Sequence, residues 1–242
     1  GGSGVVYSAS TDDGPVAVKI LTKDKATTTK RRRFKNETRF LSGVNHQNIV
    51  PVIDSGFSTV KPEGPFYVMP LYTGNLRDRM QKGIEPKDVI SWFAHMLDGV
   101  EAAHLKKVVH RDLKPENFLC NGNPESVAVS DFGIASFTSE DLWTAVETKA
   151  TERLANFAYA APEQRDRRAD VGVPADIFAL GLILNEMFTG EVPYGANYKT
   201  MSILIVLLGR CSNVILVHVP RLLLTLRLAS RAMKRRRLAI RS

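Results

Sequence analysis

The hydrophobic period of the sequence changes near Pro70, and this change limits the fold more than any other feature. Before Pro70, short runs of β-branched and aromatic residues alternate with turn residues, which predicts strands. The predicted strands are Val5–Tyr7, Val16–Ile20, Ile49–Ile53 and Phe66–Met69, with one helix at Lys30–Ser42. After Pro70, apolar residues recur at helical spacing, which predicts helices at Pro86–Lys107 and Pro174–Thr189. We therefore expect an α+β chain, with a small β-rich lobe before a mainly helical one.

Charge is distributed unevenly along the 242 residues, whose formal net charge is +8. Residues 192–242 contain ten Lys and Arg and no Asp or Glu, which leaves 23 basic and 25 acidic residues before them. A basic tail on a near-neutral body indicates a property of that tail and not a fold built to bind polyanions. No specific nucleic-acid partner is therefore expected.

The cysteine content and the first residues bear on the compartment. Cys120 and Cys211 are the two cysteines, without a CxxC motif, so neither a disulfide framework nor a zinc site is expected. Residues 1–10 lack the pattern of a secretory signal, and the chain has no initiating Met, so we expect it to begin inside a longer reading frame. A reducing, cytoplasmic location is the resulting expectation.

Two motifs follow the long predicted helix at a specific spacing. The first, His-Arg-Asp-Leu-Lys-Pro-Glu-Asn, occupies His110–Asn117, and the second, Asp-Phe-Gly, occupies Asp131–Gly133 behind the apolar run Val127–Val129. In this order they resemble the catalytic loop and the metal-binding motif of eukaryotic-type protein kinases. The resemblance implies the bilobal protein-kinase fold, with ATP bound in the cleft.

The same resemblance implies one role for each polar residue of the two motifs. Asp112 would accept the proton of the substrate hydroxyl, and Lys114 would neutralise charge on the migrating phosphoryl group. Asn117 and Asp131 would hold Mg²⁺, for which amide and carboxylate oxygens are suitable hard ligands. An aspartate like Asp112 could by itself be a turn or capping residue, but its motif favours the catalytic interpretation.

Residues that resemble the nucleotide-binding part of a kinase lie mainly in the β-rich half. Lys19 resembles the lysine of the third kinase strand, and Glu37 would pair with it and hold it against the α- and β-phosphates. A solvent-facing position on a strand edge is the alternative for Lys19. The remaining predicted ATP contacts belong to the glycine-rich loop, the adenine site and the hinge, with a linker or plain core as the alternative: Gly1, Gly4, Val6, Ala17, Met69, Leu71 and Leu119.

Ala161–Glu163, Ala-Pro-Glu, resembles the end of the activation segment that the second motif opens. Thr148 and Thr151 are candidate acceptors of autophosphorylation, with an ordinary role in a solvated loop as the alternative. By resemblance, Lys114 implies specificity for serine or threonine. Asn156 departs from the family pattern, which usually has a threonine there, so we expect an altered acceptor preference.

These observations predict four segments: an N-lobe at 1–69, a hinge at 70–72, a C-lobe at 73–194 and a basic tail at 195–242. The resemblance ends at about Tyr194. Charged residues interrupt the apolar runs of the tail, so a membrane span is not expected. The tail is either a divergent closing helix or, as we favour, foreign to the fold; contact with an anionic membrane is less favoured.

The predicted function is phosphorylation of serine or threonine residues of protein substrates, with ATP and Mg²⁺. One alternative is a nucleotide-binding scaffold or pseudokinase that is inactive through truncation. Lys19, Asp112, Asn117 and Asp131 are all present, which argues against a loss of function by sequence drift. A small-molecule kinase is a further alternative, but the Lys-Pro-Glu and Ala-Pro-Glu stretches favour a peptide acceptor.

Overall fold

The computed structural model describes residues 4–132, 158–165 and 171–192. Within these residues, strands predominate up to Pro70 and helices after it, as the change of period predicts. The strands are β1 (Val5–Thr11), β2 (Gly14–Ile20), β3 (Asp54–Ser58), β4 (Gly64–Pro70), β5 (Gly74–Asn75), β6 (Phe118–Cys120) and β7 (Ala128–Val129). The helices are α1 (Thr28–Ser42), α2 (Leu76–Lys82), α3 (Val89–Leu105) and α4 (Val173–Thr189).

The larger sheet is antiparallel and has the strand order β1-β2-β4-β3. The strands predicted at Val5–Tyr7 and Val16–Ile20 are present as β1 and β2, which pair as an antiparallel hairpin. Its inner strand β2 lies between β1 and β4, and the register places Ala17 opposite Met69 and Lys19 opposite Tyr67. A second, smaller sheet has the order β5-β6-β7. The central position of β2 explains why a lysine of this strand can be buried.

The predicted strand at Ile49–Ile53 is wrong. Ile49 makes one isolated parallel bridge to Val129, and the strand of this region is β3, at Asp54–Ser58. The apolar residues Ile49 and Val50 are buried core, and the hydrogen bonds that the backbone before β3 makes to strands are those with Val129 and one from Ile53 to Val68. The edge strand β3 is mostly exposed and polar, so it lacks the apolar pattern by which strands are recognised.

Helix α1 confirms the helix predicted at Lys30–Ser42 and begins two residues earlier. The side chain of Thr27 caps its N-terminus by accepting the backbone N–H of Lys30 at 3.3 Å. Phe34, Glu37 and Leu41 are buried on one face. Helical spacing of three and four residues therefore places a carboxylate among apolar side chains on the inner face of the helix.

Helices α3 and α4 confirm the two helices predicted after Pro70, with slightly different ends. Gly99 of α3 lies against the carbonyl of Asn48, and a Cβ at this position would stand 2.2 Å from that oxygen. The side chain of Asn48 donates to the carbonyl of Val127 at 2.8 Å. Glycine in α3 thus permits a close approach that joins the segment before β3 to the segment of β7.

The described residues form two compact units. The first contains residues 4–79, 95–110 and 116–132, and the second contains residues 80–94, 111–115, 158–165 and 171–192. The segment boundaries predicted from sequence, at 69, 72 and 194, stay a prediction. None of the helices in these described ranges is long and apolar enough to cross a membrane.

Candidate active site

In the first unit, Lys19 and Glu37 form a buried ion pair. Strand β2 supplies Lys19 and α1 supplies Glu37, and the Lys19 Nζ donates to Glu37 Oε1 at 2.8 Å. The two residues are 3% and 2% exposed. Charges this deeply buried are stable only when they are paired, so the fold itself depends on the contact. The pair predicted from the sequence is present.

Asp131 is a second carboxylate at the same lysine. It follows β7, and its Oδ1 accepts a hydrogen bond from Lys19 Nζ. Unlike Glu37, Asp131 keeps 43% of its side chain exposed. Its backbone has a φ of 56°, in the left-handed region that non-glycine residues rarely adopt. Lys19 therefore bridges one carboxylate enclosed by protein and one that a ligand could still reach.

The electrostatic balance keeps Lys19 charged. Burial lowers the pKa of Lys19, but the negative charges of Glu37 and Asp131, with the hydrogen bonds to both, raise it above its ordinary value overall. For Glu37, burial raises the pKa, and the positive charge and hydrogen bond of Lys19 oppose that rise. The ammonium of Lys19 is thus held as a cation in a site with little water.

Tyr67 is a member of this cluster that the sequence analysis missed. Its hydroxyl donates to Glu37 Oε1 at 2.8 Å, and its ring lies 5.4 Å from the ring of Phe34. Burial, and next the charge of Glu37, raise the pKa of Tyr67 well above its usual value, so the phenol remains a donor. The available signal was a tyrosine on an otherwise apolar strand, two residues before Met69.

Asn117 and Ser130 link the end of the first motif to the start of the second. The backbone N–H of Ser130 donates to the carbonyl of Asn117 at 2.8 Å, and the Ser130 hydroxyl donates to the same oxygen at 3.1 Å. Asn117 is buried. These bonds fix the backbone of Asn117 relative to the residue that precedes Asp131. The two predicted magnesium ligands are therefore carried on backbone segments that are bonded to each other.

Phe132 anchors the second motif through its ring. The ring centroid lies 4.7 Å from that of His110 and 4.7 Å from that of Phe40 on α1. A ring nitrogen of His110, Nε2, is 2.8 Å from the carbonyl oxygen of Ser130. The aromatic contact from α1 comes from Phe40, and its neighbour Leu41 is buried.

Among the described residues, the predicted contacts of the glycine-rich loop, adenine site and hinge lie directly before β1, on β1, β2, β4 and β6, and directly after β4. Ala17 and Met69 are buried partners across β2 and β4. Gly4 has a φ of 149°, and a Cβ there would stand 2.8 Å from the carbonyl of Ile20, so only glycine fits. Val6 and Leu71 are exposed, at 54% and 39%, and Leu119 is half-buried on β6.

In the second unit, Asp112 and Lys114 lie side by side. Lys114 Nζ is 3.3 Å from Asp112 Oδ2, and both side chains remain partly exposed. Their neighbour Arg111 has a φ of 68°, which is unfavourable for a residue with a side chain. The Arg111 Nε donates to the carbonyl of Val171 at 3.1 Å. The catalytic loop thus holds an unfavourable backbone angle directly before Asp112.

Two side chains hold the backbone of Arg111 in this conformation. Buried Asp176 of α4 accepts the N–H of Arg111 at 2.7 Å, and Gln164 Nε2 donates to its carbonyl at 2.6 Å. Gln164 Oε1 accepts the N–H of Ala161 at 3.0 Å. Gln164 is a bracing residue that the sequence analysis misses, and the available signal was its position directly after the Ala-Pro-Glu motif.

Tyr159 and Glu186 form another buried contact of the second unit. The Tyr159 hydroxyl donates to Glu186 Oε2, and both residues are almost fully buried. Because Tyr159 precedes Ala161 by two residues, this bond ties the segment that carries Gln164 to α4. The catalytic loop and the end of the activation segment are therefore both bonded to one helix.

Several predicted residues lie outside the described part of the chain. These are Gly1, Gly133, Thr148, Thr151, Asn156 and the tail at 195–242. Among the described residues, no group of three or more His, Cys, Asp and Glu could hold a metal ion. Asn117 and Asp131 supply oxygen donors of the kind Mg²⁺ accepts when nucleotide phosphates complete its coordination. The residues therefore fit a metal that is bound together with the nucleotide.

Comparisons with known proteins identify the family. The sequence profile described as "Protein kinase domain" matches residues 1–215, so the match continues past Tyr194, where the sequence analysis places the end of the resemblance. The serine/threonine-protein kinase PkaB of Streptomyces coelicolor is 33% identical over 213 residues, which are 82% of this chain and 48% of PkaB. The chain belongs to the protein kinase family, and the α+β kinase fold is confirmed.

Other relatives have the same character. The serine/threonine-protein kinase PrkC of Bacillus subtilis is 31% identical over 80% of this chain and 30% of its own length. The CBL-interacting protein kinase 26 of Oryza sativa subsp. japonica is 32% identical over 78% of this chain and 38% of its own length. The chain spans about half or less of the length of these relatives. About half or more of each of these relatives therefore lies outside the match.

Proposed function

We propose that this chain transfers the γ-phosphoryl group of ATP to a serine or threonine hydroxyl of a protein substrate. The observation that carries this proposal is the buried Lys19, which bridges Glu37 and the partly exposed Asp131. A cation held in this way is positioned to bind phosphate oxygens, because the protein has already removed its water and fixed its direction. The relatives named serine/threonine-protein kinases support the same reaction.

The residues of the first unit would bind and orient the nucleotide. Lys19 would donate to phosphate oxygens while Glu37 keeps it in place, and Asp131 and Asn117 would hold Mg²⁺. The metal supplies charge neutralisation on the phosphates during transfer. The residues predicted above would form the glycine-rich loop over the phosphates and the adenine site with its hinge: Gly1, Gly4, Val6, Ala17, Met69, Leu71 and Leu119.

The residues of the second unit would act on the acceptor. Asp112 would accept the proton of the substrate hydroxyl as the hydroxyl oxygen bonds to the γ-phosphorus. The bond from the γ-phosphorus to the β–γ bridging oxygen would break in the same transfer and release ADP. Lys114, which lies 3.3 Å from Asp112, would neutralise the negative charge that spreads over the transferred phosphoryl group. The fixed backbone of Arg111 would keep Asp112 directed at the hydroxyl. Protein substrates, autophosphorylation at Thr148 or Thr151 and a cytoplasmic location belong to the same proposal.

Transfer of labelled phosphate to a general protein substrate and to the chain itself, in the presence of Mg²⁺, tests the proposal. We expect transfer by the wild type and a loss of about 10²- to 10⁴-fold in Asp112→Asn, because the amide cannot accept the proton. The matched control is Asp12→Asn, which makes the same change in the exposed β1–β2 turn and should leave transfer unchanged. Nucleotide binding should persist in both variants.

The second candidate function is a nucleotide-binding scaffold without turnover. It would be supported by stabilisation of the wild type against heat by ATP and Mg²⁺ with no transfer of phosphate, and that result would contradict the proposed reaction. Equal transfer by Asp112→Asn and the wild type would instead contradict the assignment of Asp112.

A further inference from the structure

The buried cluster around Lys19 contains Tyr67, which has no role in the reaction as described so far. Tyr67 lies on β4 directly opposite Lys19 on β2 and is 1% exposed. Its hydroxyl donates to Glu37 Oε1, the same oxygen that accepts Lys19 Nζ, and both distances are 2.8 Å. Lys19 Nζ also lies 5.5 Å from the centre of the Tyr67 ring. Tyr67 therefore contacts both members of the ion pair.

The hydroxyl group is the informative part of Tyr67. A phenylalanine could fill the same space and pack against Phe34, whose ring lies 5.4 Å away. A buried hydroxyl is unfavourable unless it is hydrogen-bonded, and the bond of Tyr67 goes to Glu37. A bond from a neutral donor to a charged acceptor is stronger than one between neutral groups. The contact thus fixes the direction of the Glu37 carboxylate from the sheet side.

A bound nucleotide would weaken the hold of Lys19 on the Glu37 carboxylate, whereas the hydrogen bond from Tyr67 to Glu37 would stay the same. The ammonium of Lys19 has three donors, of which one is directed to Glu37 and one to Asp131. When phosphates bind, as the proposed function requires, the Lys19 ammonium also donates to them, so its interaction with Glu37 becomes weaker. Among the described residues, the Tyr67 hydroxyl bonds to Glu37, and Tyr67 is 1% exposed, so phosphates bound at Lys19 do not compete for this donor.

We propose that Tyr67 is a positioning residue for Lys19, because its hydroxyl holds the Glu37 carboxylate in place while Lys19 binds the phosphates. This inference deepens the proposed function and rests on it. Tyr67 acts through Glu37 and does not itself contact the reacting atoms. Loss of the hydroxyl leaves Glu37 with Lys19 as its donor from the sheet, so the lysine is aligned less well when the nucleotide is present.

The variant Tyr67→Phe removes the hydroxyl alone and tests the inference. We expect kcat/KM for ATP to fall about tenfold, the order of one hydrogen bond to a charged group, mainly through a higher KM for ATP. The KM for the protein substrate should not change, since Tyr67 serves only the nucleotide side. The matched control is Tyr7→Phe, which makes the same change on the exposed β1 and should behave as wild type.

A double-mutant cycle on unfolding tests the contact without any turnover. In the wild-type background, Tyr67→Phe should change the unfolding equilibrium constant about tenfold, and in a Glu37→Ala background that change should disappear. Equal losses in both backgrounds would mean that Tyr67 acts as packing alone, and they would overturn the inference.

The outcomes separate this inference from the proposed function. If the wild type transfers phosphate and Tyr67→Phe has the same KM for ATP and kcat, the inference is wrong and the proposed function stands. If the wild type transfers no phosphate, the proposed function is wrong, and the unfolding cycle alone decides whether Tyr67 holds Glu37.

Discussion

The two units of the molecule fix their functional residues in different ways. In the first unit, Lys19 is held by the charges of Glu37 and Asp131, with 2.8 Å between its Nζ and Glu37 Oε1. In the second unit, the residue before Asp112 is held by its backbone, because Asp176 and Gln164 bond the N–H and the carbonyl of Arg111. One arrangement relies on opposite charges, and the other on hydrogen bonds to the backbone on both sides of a single residue, Arg111.

The difference corresponds to what each region must do in the proposed reaction. During the reaction Lys19 would bind phosphates and Asp131 would bind the metal, so their ion pair must be partly replaced by these contacts. A side-chain ion pair can be replaced in this way without a change of the backbone. Asp112 must keep one direction throughout, which a backbone held at both ends provides. We therefore expect substitutions in the first unit to change charge balance and pH dependence, and substitutions in the second unit to change turnover.

Removal of Lys19 should give the largest effect. In Lys19→Met, phosphate transfer should fall by at least ~10²-fold, the scale seen when a group that stabilises developing charge is removed. The buried Glu37 loses its cation, so the free energy of unfolding should fall by about 3–5 kcal/mol. Transfer assays and denaturant unfolding at neutral pH measure the two effects.

The pH dependence of Lys19→Met gives an additional check of the charge balance. Burial raises the pKa of Glu37 and Lys19 opposes that rise, so the pKa should rise further in the variant. A carboxyl whose folded pKa is raised takes up a proton more readily when folded, so the stability deficit should shrink as the pH falls. The control is Lys23→Met, an exposed lysine paired with Glu63, which should change stability by less than about 1 kcal/mol. A deficit independent of pH would contradict this account.

Substitution of Gln164 should have a smaller effect, confined to turnover. Gln164→Glu keeps the acceptor for the Ala161 N–H but replaces the donor to the Arg111 carbonyl, and Gln164→Leu loses both. We expect kcat to fall about tenfold in Gln164→Glu, the order of one lost hydrogen bond, with an unchanged KM for ATP. Steady-state kinetics with varied ATP measure the two constants separately.

The control for Gln164 is Gln81→Glu, the same change at an exposed position of α2. It should have wild-type kinetics. A raised KM for ATP in Gln164→Glu would show that Gln164 influences the nucleotide side, and the proposed separation between the two regions would then be wrong.

Short sequence motifs were enough to single out residues whose neighbours along the chain form a recognisable pattern. Lys19, Asp112 and Asp131 were singled out because short strings of neighbours mark them, and Glu37 because it lies on the helix predicted after Lys19. The change of period near Pro70 predicted most of the elements. Tyr67 and Gln164 could not be singled out in this way, since their roles depend on what the fold places opposite them. Tyr67 is recognisable only once the register pairs it with Lys19.

The edge strand β3 was missed for a related reason. A strand covered by protein on one face shows apolar alternation, whereas Asp54–Ser58 is mostly exposed and has no such pattern. The apolar run that includes Ile49 and Val50 led to the wrong strand prediction, because these are core residues of an irregular segment. Hydrophobic periodicity therefore cannot distinguish a buried irregular segment from a buried strand that pairs with its neighbours.

The smallest effect we expect is a loss of stability at alkaline pH that belongs to the first unit. Burial raises the pKa of Tyr67 above its usual 10.0. Burial lowers the pKa of Lys19, but Glu37 and Asp131 raise it overall above its usual 10.5. Because both folded values are raised, both groups stabilise the fold fully below about pH 10 and lose that contribution as the pH rises toward the folded pKa. The free energy of unfolding should therefore decline above about pH 10, and Tyr67→Phe should make the decline shallower by up to about 1.4 kcal/mol per pH unit. Denaturant unfolding across the alkaline range measures this decline, and Tyr7→Phe is the exposed control. If the free energy of unfolding falls with pH equally steeply in Tyr67→Phe and in the wild type, Tyr67 is not held as a neutral donor by its burial beside Glu37.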